Sequence, residues 1–461
     1  MDTELLARLQ FAITIAFHYI FPPLSIGIGI LLVFMEGMYL RTKNILYQHM
    51  TKFWVKIFAL IFAVGVATGI VMEFEFGTNW STYSRYVGDI FGGALAAEGI
   101  FAFFLESGFL AILVFGWNKV SPKIHFLSTV MVSLGSMMSA VWIVIANSWQ
   151  QTPAGFHIVG EGLNARAEIT DFWAMLFNPS SIDRLCHVLA GCWQAGAFFV
   201  LSVSAYYILR KKHIELSEKA IKIALVLAVF ASLFQLITGH LNALGVSENQ
   251  PAKLAAFEAH YDSSAVAPMY LFGWVDNDQQ EVKFGIAIPK LLSFLISADF
   301  DFQVTGLNAF PEEDRPPVNF VFQTYHFMVI IGFALIAISL LGIIFWWRGR
   351  LFNTKWYLYI LIFSVLLPQI ANQLGWISAE VGRQPWIVYQ LLRTSEALSK
   401  VVTESQIWFS LILFLLIYSL LFILFFYLLN EKIKQGPDFL DDTSVVYAQQ
   451  RGIFNKNFRD E

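Results

Sequence analysis

Charged residues are scarce in this chain of 461 residues: Asp, Glu, Lys and Arg make up only 14% of it, whereas 57% of the residues are hydrophobic. The mean hydropathy is +0.60. These values exclude an ordinary soluble enzyme and a disordered protein, both of which carry more charge. The net charge is −4 and the basic residues are scattered, so the sequence also lacks the basic patch that nucleic-acid binding requires.

Cysteine is almost absent. The two cysteines, Cys186 and Cys192, lie in one apolar run. They provide neither a disulfide framework nor the C-x-x-C-H motif, and the second absence excludes covalently attached c-type haem.

Long apolar runs, in contrast, fill most of the chain. A bilayer crossing needs roughly 20 apolar residues in a helix. Nine runs meet that length, at about 11–40, 53–77, 90–115, 124–149, 185–209, 220–240, 318–347, 356–379 and 405–430. The sequence therefore predicts an all-α polytopic membrane protein whose nine transmembrane helices pack as helical bundles.

The distribution of Lys and Arg predicts the orientation of these helices. Basic residues in short loops are retained in the cytoplasm. Leaving out the long segment between spans six and seven, 18 basic residues lie on one side and 7 on the other. This bias predicts an N-terminus outside and a C-terminus inside. The first run is too long for a cleaved signal and is preceded by Asp2 and Glu4 instead of basic residues.

The chain divides into four parts on this basis: spans one to six at 1–240, an extracytoplasmic loop at 241–317, spans seven to nine at 318–430 and a cytoplasmic tail at 431–461. The loop is rich in Asp, Glu and Pro and has a helix-like stretch from Lys253 to His260. A structureless loop of this length is uncommon unless it is functional, so we expect it to handle substrate.

Histidine and methionine inside the spans are candidate iron ligands. Counted from the outer ends of their helices, His18, His187 and Met328 fall in the outer half of the membrane. Imidazole and thioether are common axial ligands of haem iron. The alternative for a single intramembrane His is an interhelical hydrogen bond, and for Met it is packing.

Two acids in the third span suggest a proton path. Glu98 and Glu106 are eight residues apart, which on a regular helix puts them about 80° apart and two turns along. An intramembrane carboxylate is costly and is therefore a functional candidate. The alternative is a pair of neutral acids that are hydrogen-bonded to neighbours such as Ser107.

A Trp/Arg-rich motif closes span eight, where Trp376 and Glu380 precede the sequence Gly382-Arg383-Gln384-Pro385-Trp386. Arg binds carboxylates such as haem propionates through its planar fork, although an interfacial cluster of this kind is often only a membrane anchor.

This motif and its neighbours resemble subunit I of the cytochrome bd-type quinol oxidases, and the resemblance covers nearly the whole chain. The other segments that carry the resemblance are Arg8-Leu9-Gln10-Phe11 before His18, Met72-Glu73-Phe74 with Phe76-Gly77-Thr78-Asn79-Trp80, Ala97-Glu98-Gly99 with Phe103-Phe104-Leu105-Glu106-Ser107, and Lys253-Leu254-Ala255-Ala256 before Glu258.

The resemblance implies three haems: a low-spin haem b, a high-spin haem b, and a haem d or a third b-type haem. It implies that His187 and Met328 ligate the low-spin haem, and that His18 and Glu380 serve the other two. Arg383 and Trp376 would neighbour the haems. Lys253 and Glu258 would act in quinol oxidation, and Glu98 and Glu106 in proton supply to the oxygen site.

The resemblance further implies a terminal oxidase of the prokaryotic cytoplasmic membrane that oxidises ubiquinol or menaquinol at the outer face. It would reduce O2 to water with cytoplasmic protons, without pumping. The expected partners are a second integral membrane subunit and a small single-helix subunit. Two departures from the best-known members are His326, where they carry Arg, and Gln373, where they carry Glu.

Two other functions remain compatible with the sequence. A di-haem membrane subunit could pass electrons from quinol to a partner without oxygen chemistry, which would leave His18, Glu380 and both glutamates without a role. A haem-free proton-coupled transporter would use the acids, but the sequence has no internal repeat of the kind common in transporters.

Overall fold

Membrane-spanning helices organise the protein, as the sequence predicts. The computed structural model describes residues 2–437, and the predicted tail beyond residue 437 lies outside this range. Within the described range, nine helical segments are long and apolar enough to cross a membrane: Thr3–Thr42, Ile45–Thr78, Gly88–Phe115, Pro122–Gln151, Ser181–Leu209, Ile214–Asn249, Glu312–Trp347, Lys355–Val381 and Glu404–Gln435.

Sixteen α-helices are found in the described residues. They are α1 (Thr3–His18), α2 (Phe21–Thr42), α3 (Ile45–Thr78), α4 (Ser81–Tyr86), α5 (Gly88–Ala97), α6 (Phe104–Phe115), α7 (Pro122–Gln151), α8 (Phe172–Leu176), α9 (Ser181–Leu209), α10 (Ile214–Asn249), α11 (Pro251–Phe257), α12 (Leu291–Ser297), α13 (Val318–Trp347), α14 (Lys355–Phe363), α15 (Leu366–Val381) and α16 (Glu404–Gln435).

The first span is two helices rather than one continuous helix. The chain breaks at Tyr19 and Ile20, between α1 and α2, and the two prolines Pro22 and Pro23 stand in the first turn of α2. Proline suits the start of a helix because the amide that it lacks would have no helical partner there. The break puts His18 at the end of α1.

Two further spans are also interrupted. In the third span, a π-helical segment (Glu98–Phe103) joins α5 to α6. In the eighth span, Ser364 and Val365 separate α14 from α15. Interruptions of this kind inside a membrane are tolerated where neighbouring helices or a cavity satisfy the backbone.

The core of the bundle is centred on α9, which packs against α2, α7, α10, α14 and α15. Small residues let α9 and α2 approach closely: a methyl group added at Gly196 would lie 2.5 Å from the Cα of Gly27. Close contact between backbones at small residues is a common way for membrane helices to associate. Large apolar side chains on α16 and α13, such as Phe409 and Phe327, are exposed, as expected for surfaces that face lipid or other subunits.

Among the residues that the structure describes, three short hairpins lie outside the spans, and the sequence predicts none of them. They pair β1 (Phe156–Val159) with β2 (Arg166–Ile169), β3 (Met269–Asp276) with β4 (Glu281–Ile288), and β5 (Trp386–Val388) with β6 (Leu392–Arg393), all antiparallel.

The segment between α10 and α13 folds against one end of the bundle, which we call the loop end. It holds α11, the hairpin β3–β4 and α12. The ring of Phe257 stacks on Tyr325 of α13, with centroids 4.4 Å apart, and this contact seats α11 on the bundle. The helix-like stretch expected from Lys253 to His260 is helical as far as Phe257.

Candidate functional site

A cavity of about 1480 Å³ runs through the bundle. All ten predicted site residues contribute to its wall, namely His18, Glu98, Glu106, His187, Lys253, Glu258, Met328, Trp376, Glu380 and Arg383. Residues from five spans and from the loop-end segment therefore face one common volume.

The hydrogen bonds of His18 determine which of its ring nitrogens carries a lone pair. The hydroxyl of Thr68 lies 2.9 Å from the carbonyl oxygen of Val64, to which it donates, and 3.0 Å from Nδ1 of His18. A hydroxyl has one proton, so it must accept a hydrogen bond from Nδ1–H of His18. The lone pair of the imidazole is then on Nε2, the nitrogen left for a ligand in the cavity.

His187 is held in the same way by a threonine one helix away. Thr238 donates to the carbonyl oxygen of Phe234 at 3.0 Å and lies 3.2 Å from Nδ1 of His187. The lone pair is therefore on Nε2, which lies 3.0 Å from the side-chain nitrogen of Gln235. This arrangement, in which the second nitrogen is oriented by a neighbour, is typical of metal-ligating histidines.

Glycines flank three of the candidate ligands. A methyl group added at Gly69 would lie 3.2 Å from the ring of His18, one at Gly239 would lie 3.3 Å from the ring of His187, and one at Gly375 would lie 2.8 Å from Sδ of Met328. The absence of a side chain at these positions leaves room for the two imidazole rings and for the sulfur of Met328.

Glu380 is surrounded by hydrogen-bond donors. Its Oε1 accepts from the side-chain amides of Asn147 at 3.0 Å and Gln151 at 3.1 Å, and its Oε2 accepts from Arg383. Arg184 donates to Asn147 and so supports the same group. A carboxylate with this many donors is stabilised in its charged form inside the protein.

Some buried N–H groups of Arg184 and Arg383 have no hydrogen-bond acceptor among residues 2–437. They are Nε of Arg184 and both Nε and Nη1 of Arg383, and both residues line the cavity. A buried unpaired donor is costly, which points to an anionic group that these arginines bind.

Lys253 is connected to Glu380 through one glutamine. Its ammonium nitrogen lies 2.5 Å from the amide oxygens of both Gln151 and Gln250, and Gln151 in turn donates to Glu380. Burial, together with the positive charges of Arg184 and Arg383, lowers the pKa of Lys253 well below its usual range. This residue therefore couples the loop end to the carboxylate of α15.

Glu258 lies just after α11 and is only 2% exposed. Burial raises the pKa of Glu258 to about 8. Its Oε2 has no hydrogen-bond partner in the part of the chain that the structure describes, and it lies 3.9 Å from Nε2 of His326. Nε2 of His326 is also 2.8 Å from the carbonyl oxygen of Tyr270. A buried acid with this pKa and a free oxygen is suited to exchange a proton with a bound molecule.

Glu98 and Glu106 both point to α7. Ser139 donates to Glu98 at 2.5 Å, and Ser136 donates to Glu106. The π-helical segment explains this alignment: it accommodates one extra residue, so a separation of eight behaves like seven, and the acids lie about 20° apart instead of 80°. Ser107, the neighbour considered from sequence, bonds to the carbonyl oxygen of Phe103 in its own helix.

Comparison of the whole chain with known proteins identifies its family. Residues 6–437 match the family described as cytochrome bd terminal oxidase subunit I. The chain belongs to this family. It is 40% identical to the cytochrome bd ubiquinol oxidase subunit 1 of Bacillus subtilis over 448 residues, with 95% of each chain covered. It is 34% identical to the cytochrome bd-II ubiquinol oxidase subunit 1 of Escherichia coli over 513 residues, covering 97% of this chain and 99% of the relative.

A solved bd oxidase structure has the same fold. The structure from Geobacillus thermodenitrificans superposes with a TM-score of 0.87 at 30% identity, covering 95% of this chain and 99% of that chain. Membership of the bd oxidase family confirms the predicted enzyme class, a haem-containing terminal oxidase that is a quinol:oxygen oxidoreductase. It favours neither the di-haem subunit without oxygen chemistry nor the transporter. The chain is a multi-pass membrane protein whose relatives are bacterial.

The two departures from the best-known bd oxidases lie close to the site but do not line the cavity. Both ring nitrogens of His326 lie near backbone carbonyl oxygens, those of Phe322 and Tyr270. Gln373 donates to the carbonyl oxygen of Ala16 at 2.8 Å and thereby ties α15 to α1 beside His18.

Sequence reasoning missed the polar residues that support Glu380. The fifth predicted span begins at about residue 185 and so leaves Arg184 outside it, yet Arg184 is part of α9 and lines the cavity with His187. The sequence does contain one signal for Arg184: it is three residues before His187, and residues three apart share a helix face. Asn147 and Gln151 have no signal of this kind, since polar residues near the end of a span are common.

Proposed function

We propose that this chain is the haem-bearing subunit of a terminal oxidase that oxidises quinol at the loop end of the bundle and reduces O2 to water. One observation carries the proposal. The candidate iron ligands, the two acids of the third span, and the buried Lys253 and Glu258 all line the same cavity. This cavity can thus hold the haems between the quinol site, where protons are released, and the acids of the third span, which supply protons to the oxygen site.

His187 and Met328 would hold the low-spin haem b. His18 and Glu380 would serve the high-spin haem b and the third haem, a haem d or a further haem b. The lone pairs on Nε2 of both histidines and the glycines beside the ligands support this assignment. When bound, the haems supply the electron transfer and the oxygen chemistry, and the protein supplies ligands, orientation and a low-dielectric surrounding.

Arg383 and Arg184 would bind haem propionates. Their unpaired, buried N–H groups support this role, because guanidinium binds carboxylates through two parallel hydrogen bonds. Trp376 also lines the cavity and would pack against a haem.

Lys253 and Glu258 would bind the quinol head group. Glu258 in its carboxylate form would accept a proton from a quinol hydroxyl, and Lys253 would hydrogen-bond the other oxygen. The free Oε2 of Glu258 and the pKa of about 8 support the role of base.

Glu98 and Glu106 would carry protons toward the oxygen site. Each receives a hydrogen bond from a serine of α7, and each faces the cavity. A serine hydroxyl can accept a proton and donate its own, so all four of these side chains can carry a proton.

The loop end would be the outer face of the cytoplasmic membrane, with the N-terminus outside and the C-terminus inside. Charge would then be separated without a pump, because protons are released outside and taken up from the cytoplasm. The division at 1–240, 241–317, 318–430 and 431–461 would follow, with the second part as the quinol-binding loop. A second integral membrane subunit and a small single-helix subunit would complete the complex, which would oxidise ubiquinol or menaquinol.

A dithionite-reduced spectrum of the purified complex, with and without carbon monoxide, tests the function. We expect haem b bands, a change on addition of carbon monoxide at an open iron and, if the third haem is d, a long-wavelength band. Haem b bands that carbon monoxide does not alter would favour the di-haem subunit instead. A colourless protein would overturn the proposal.

Replacement of Met328 by Leu tests the low-spin site. Leu preserves the volume but has no sulfur, so we expect the low-spin haem b band to be lost or shifted, while carbon monoxide binding persists. The matched control is Met50→Leu, which alters a buried methionine away from the cavity. A wild-type spectrum for Met328→Leu would contradict the ligand assignment.

Replacement of Glu258 by Ala tests the quinol site. We expect anaerobic haem reduction by quinol to slow by about 100-fold, the usual cost of losing a positioned base, with carbon monoxide binding unchanged. In the wild-type complex the same rate should increase as pH rises through about 8, because the carboxylate accumulates above this pKa. The control is Glu248→Gln on the exposed side of α10, and wild-type quinol kinetics in Glu258→Ala would refute the assignment.

Replacement of Glu106 by Gln tests the proton path. We expect oxygen consumption to fall by about 100-fold while the haem spectra stay nearly unchanged, because Gln fills the same space but cannot release a proton. Ser107→Ala serves as the control, since that hydroxyl bonds only within its own helix. Wild-type turnover of Glu106→Gln would rule the relay out.

A further inference from the structure

A buried polar cluster around the acid Glu36 lies far from the loop end. Nδ1 of His125 is 2.6 Å from Oε1 of Glu36, and Thr129 donates to Oε2 of the same carboxylate. Glu36 is 1% exposed and His125 is 2% exposed. His125 is 26 residues before Gln151 on α7, which is about 39 Å along the helix. None of these three residues lines the cavity.

His125 and Glu36 share one exchangeable proton. Nε2 of His125 is 3.1 Å from the carbonyl oxygen of Leu113, which can only accept, so Nε2 carries a hydrogen. The proton between Nδ1 and Glu36 can then belong to either partner: the pair is imidazolium with carboxylate, or neutral imidazole with carboxylic acid. The same hydrogen bond serves both states, and a short transfer converts one into the other.

Hydroxyl groups continue from this pair along one face of α7. Thr129, Ser133, Ser136 and Ser139 are spaced by four, three and three residues, which puts them on one side of the helix. Ser136 and Ser139 are the serines that donate to Glu106 and Glu98. This row, which we call the hydroxyl stripe, therefore begins at the Glu36 pair and ends at the acids of the cavity.

Two members of the hydroxyl stripe each have two acceptors for one proton. Thr129 can donate to Glu36 or to the carbonyl oxygen of His125, which is 3.3 Å away. Ser136 can donate to Glu106 or to the carbonyl oxygen of Val132, which is 3.1 Å away. A hydroxyl that rotates between two acceptors can receive a proton on one side and release one on the other.

Ser133 lies between Thr129 and Ser136 in the hydroxyl stripe. It is separated from Thr129 by about 6 Å and from Ser136 by about 4.5 Å along the axis, distances that one water molecule spans. Its neighbour on α2 is Gly29, where an added methyl group would lie 3.3 Å from the hydroxyl oxygen. Helices α2 and α7 therefore pack closely beside this hydroxyl.

The distal side of the pair is covered by a partly exposed aromatic ring. Trp117 packs against the ring of His125 with centroids 3.9 Å apart, and the ammonium group of Lys52 lies 5.1 Å from the centroid of Trp117. The Glu36 pair is thus one side chain away from the surface that, under the proposed orientation, faces the cytoplasm.

We propose that Glu36, His125 and Thr129 form the site that takes up protons from the cytoplasmic side and passes them along α7 to Glu106. This inference rests on the proposed function, in which Glu106 supplies protons to the oxygen site. A proton that reaches the pair is held between Glu36 and His125. Thr129 then accepts one proton from Glu36 and releases its own toward Ser133, so that one proton moves inward and the pair returns to its first state.

The test is Glu36→Gln in the assembled complex, measured beside Glu36→Asp. We expect Glu36→Gln to lower quinol-driven oxygen consumption about tenfold, less than the roughly 100-fold cost of losing a positioned proton carrier, because His125 and Thr129 remain able to carry protons. We also expect a larger solvent deuterium isotope effect on turnover, with unchanged haem spectra and unchanged anaerobic haem reduction by quinol. Glu36→Asp should restore most of the turnover and the wild-type isotope effect.

A second pair of variants separates proton transfer from packing. Thr129→Val keeps the shape of the side chain but cannot carry a proton, and we expect it to reproduce the loss and the isotope effect. Ser128→Ala, the matched control, removes a buried hydroxyl that bonds to Ile124 of its own helix, and we expect wild-type turnover. If Glu36→Gln fails to assemble, Thr129→Val decides the question alone.

Two outcomes would overturn the inference: wild-type turnover of Glu36→Gln or Thr129→Val, or a loss of turnover accompanied by loss of haem and not reversed by Glu36→Asp. Glu106→Gln is measured in parallel. If Glu106→Gln is slow and Glu36→Gln is not, only the uptake site is wrong. If both turn over at the wild-type rate, the relay in the proposed function has failed as well.

Discussion

The charge of Glu380 is the constraint around which the loop end of the bundle is built. A carboxylate can stay ionised this deep only if donors surround it, and this one is met by amides from α7 and by the guanidinium of Arg383. Removing one partner of a buried pair costs about 3–5 kcal/mol, because the other charge is left uncompensated. Gln151 extends the same network to Lys253, so α7, α11 and α15 are held in register by one set of hydrogen bonds.

Helix α7 connects the polar groups of this protein from end to end. Its last turn holds Glu380 through Asn147 and Gln151, its middle presents serines to the acids of the third span, and its first turn contacts Glu36. Most of the helices around it bury apolar surface, which packs but cannot carry protons. Within residues 2–437, the polar face of this one long helix gives the bundle a row of exchangeable groups that reaches from the loop end to the opposite end.

The sequence alone predicts the spans well, because about twenty consecutive apolar residues rarely form anything but a membrane-crossing helix. The candidate ligands were also accessible, since His18 and His187 are polar residues in apolar surroundings. The break after His18 was not predicted: a hydropathy window averages across two residues, although Pro22 signals a helix start. The hairpin β3–β4 and the burial of Arg184 depend on tertiary packing, which neither periodicity nor charge counting contains.

The π-helical segment of the third span makes the width of one helical turn a functional variable. One surplus residue in a single wide turn rotates everything beyond it by about 100° relative to a regular helix with the same number of residues. Tightening that turn without removing a residue would leave the composition and hydropathy of the span untouched, yet would turn Glu106 away from Ser136 and toward a different neighbour. Deleting one residue of the turn would instead give a regular helix on which the two acids, now seven residues apart, still face the same side.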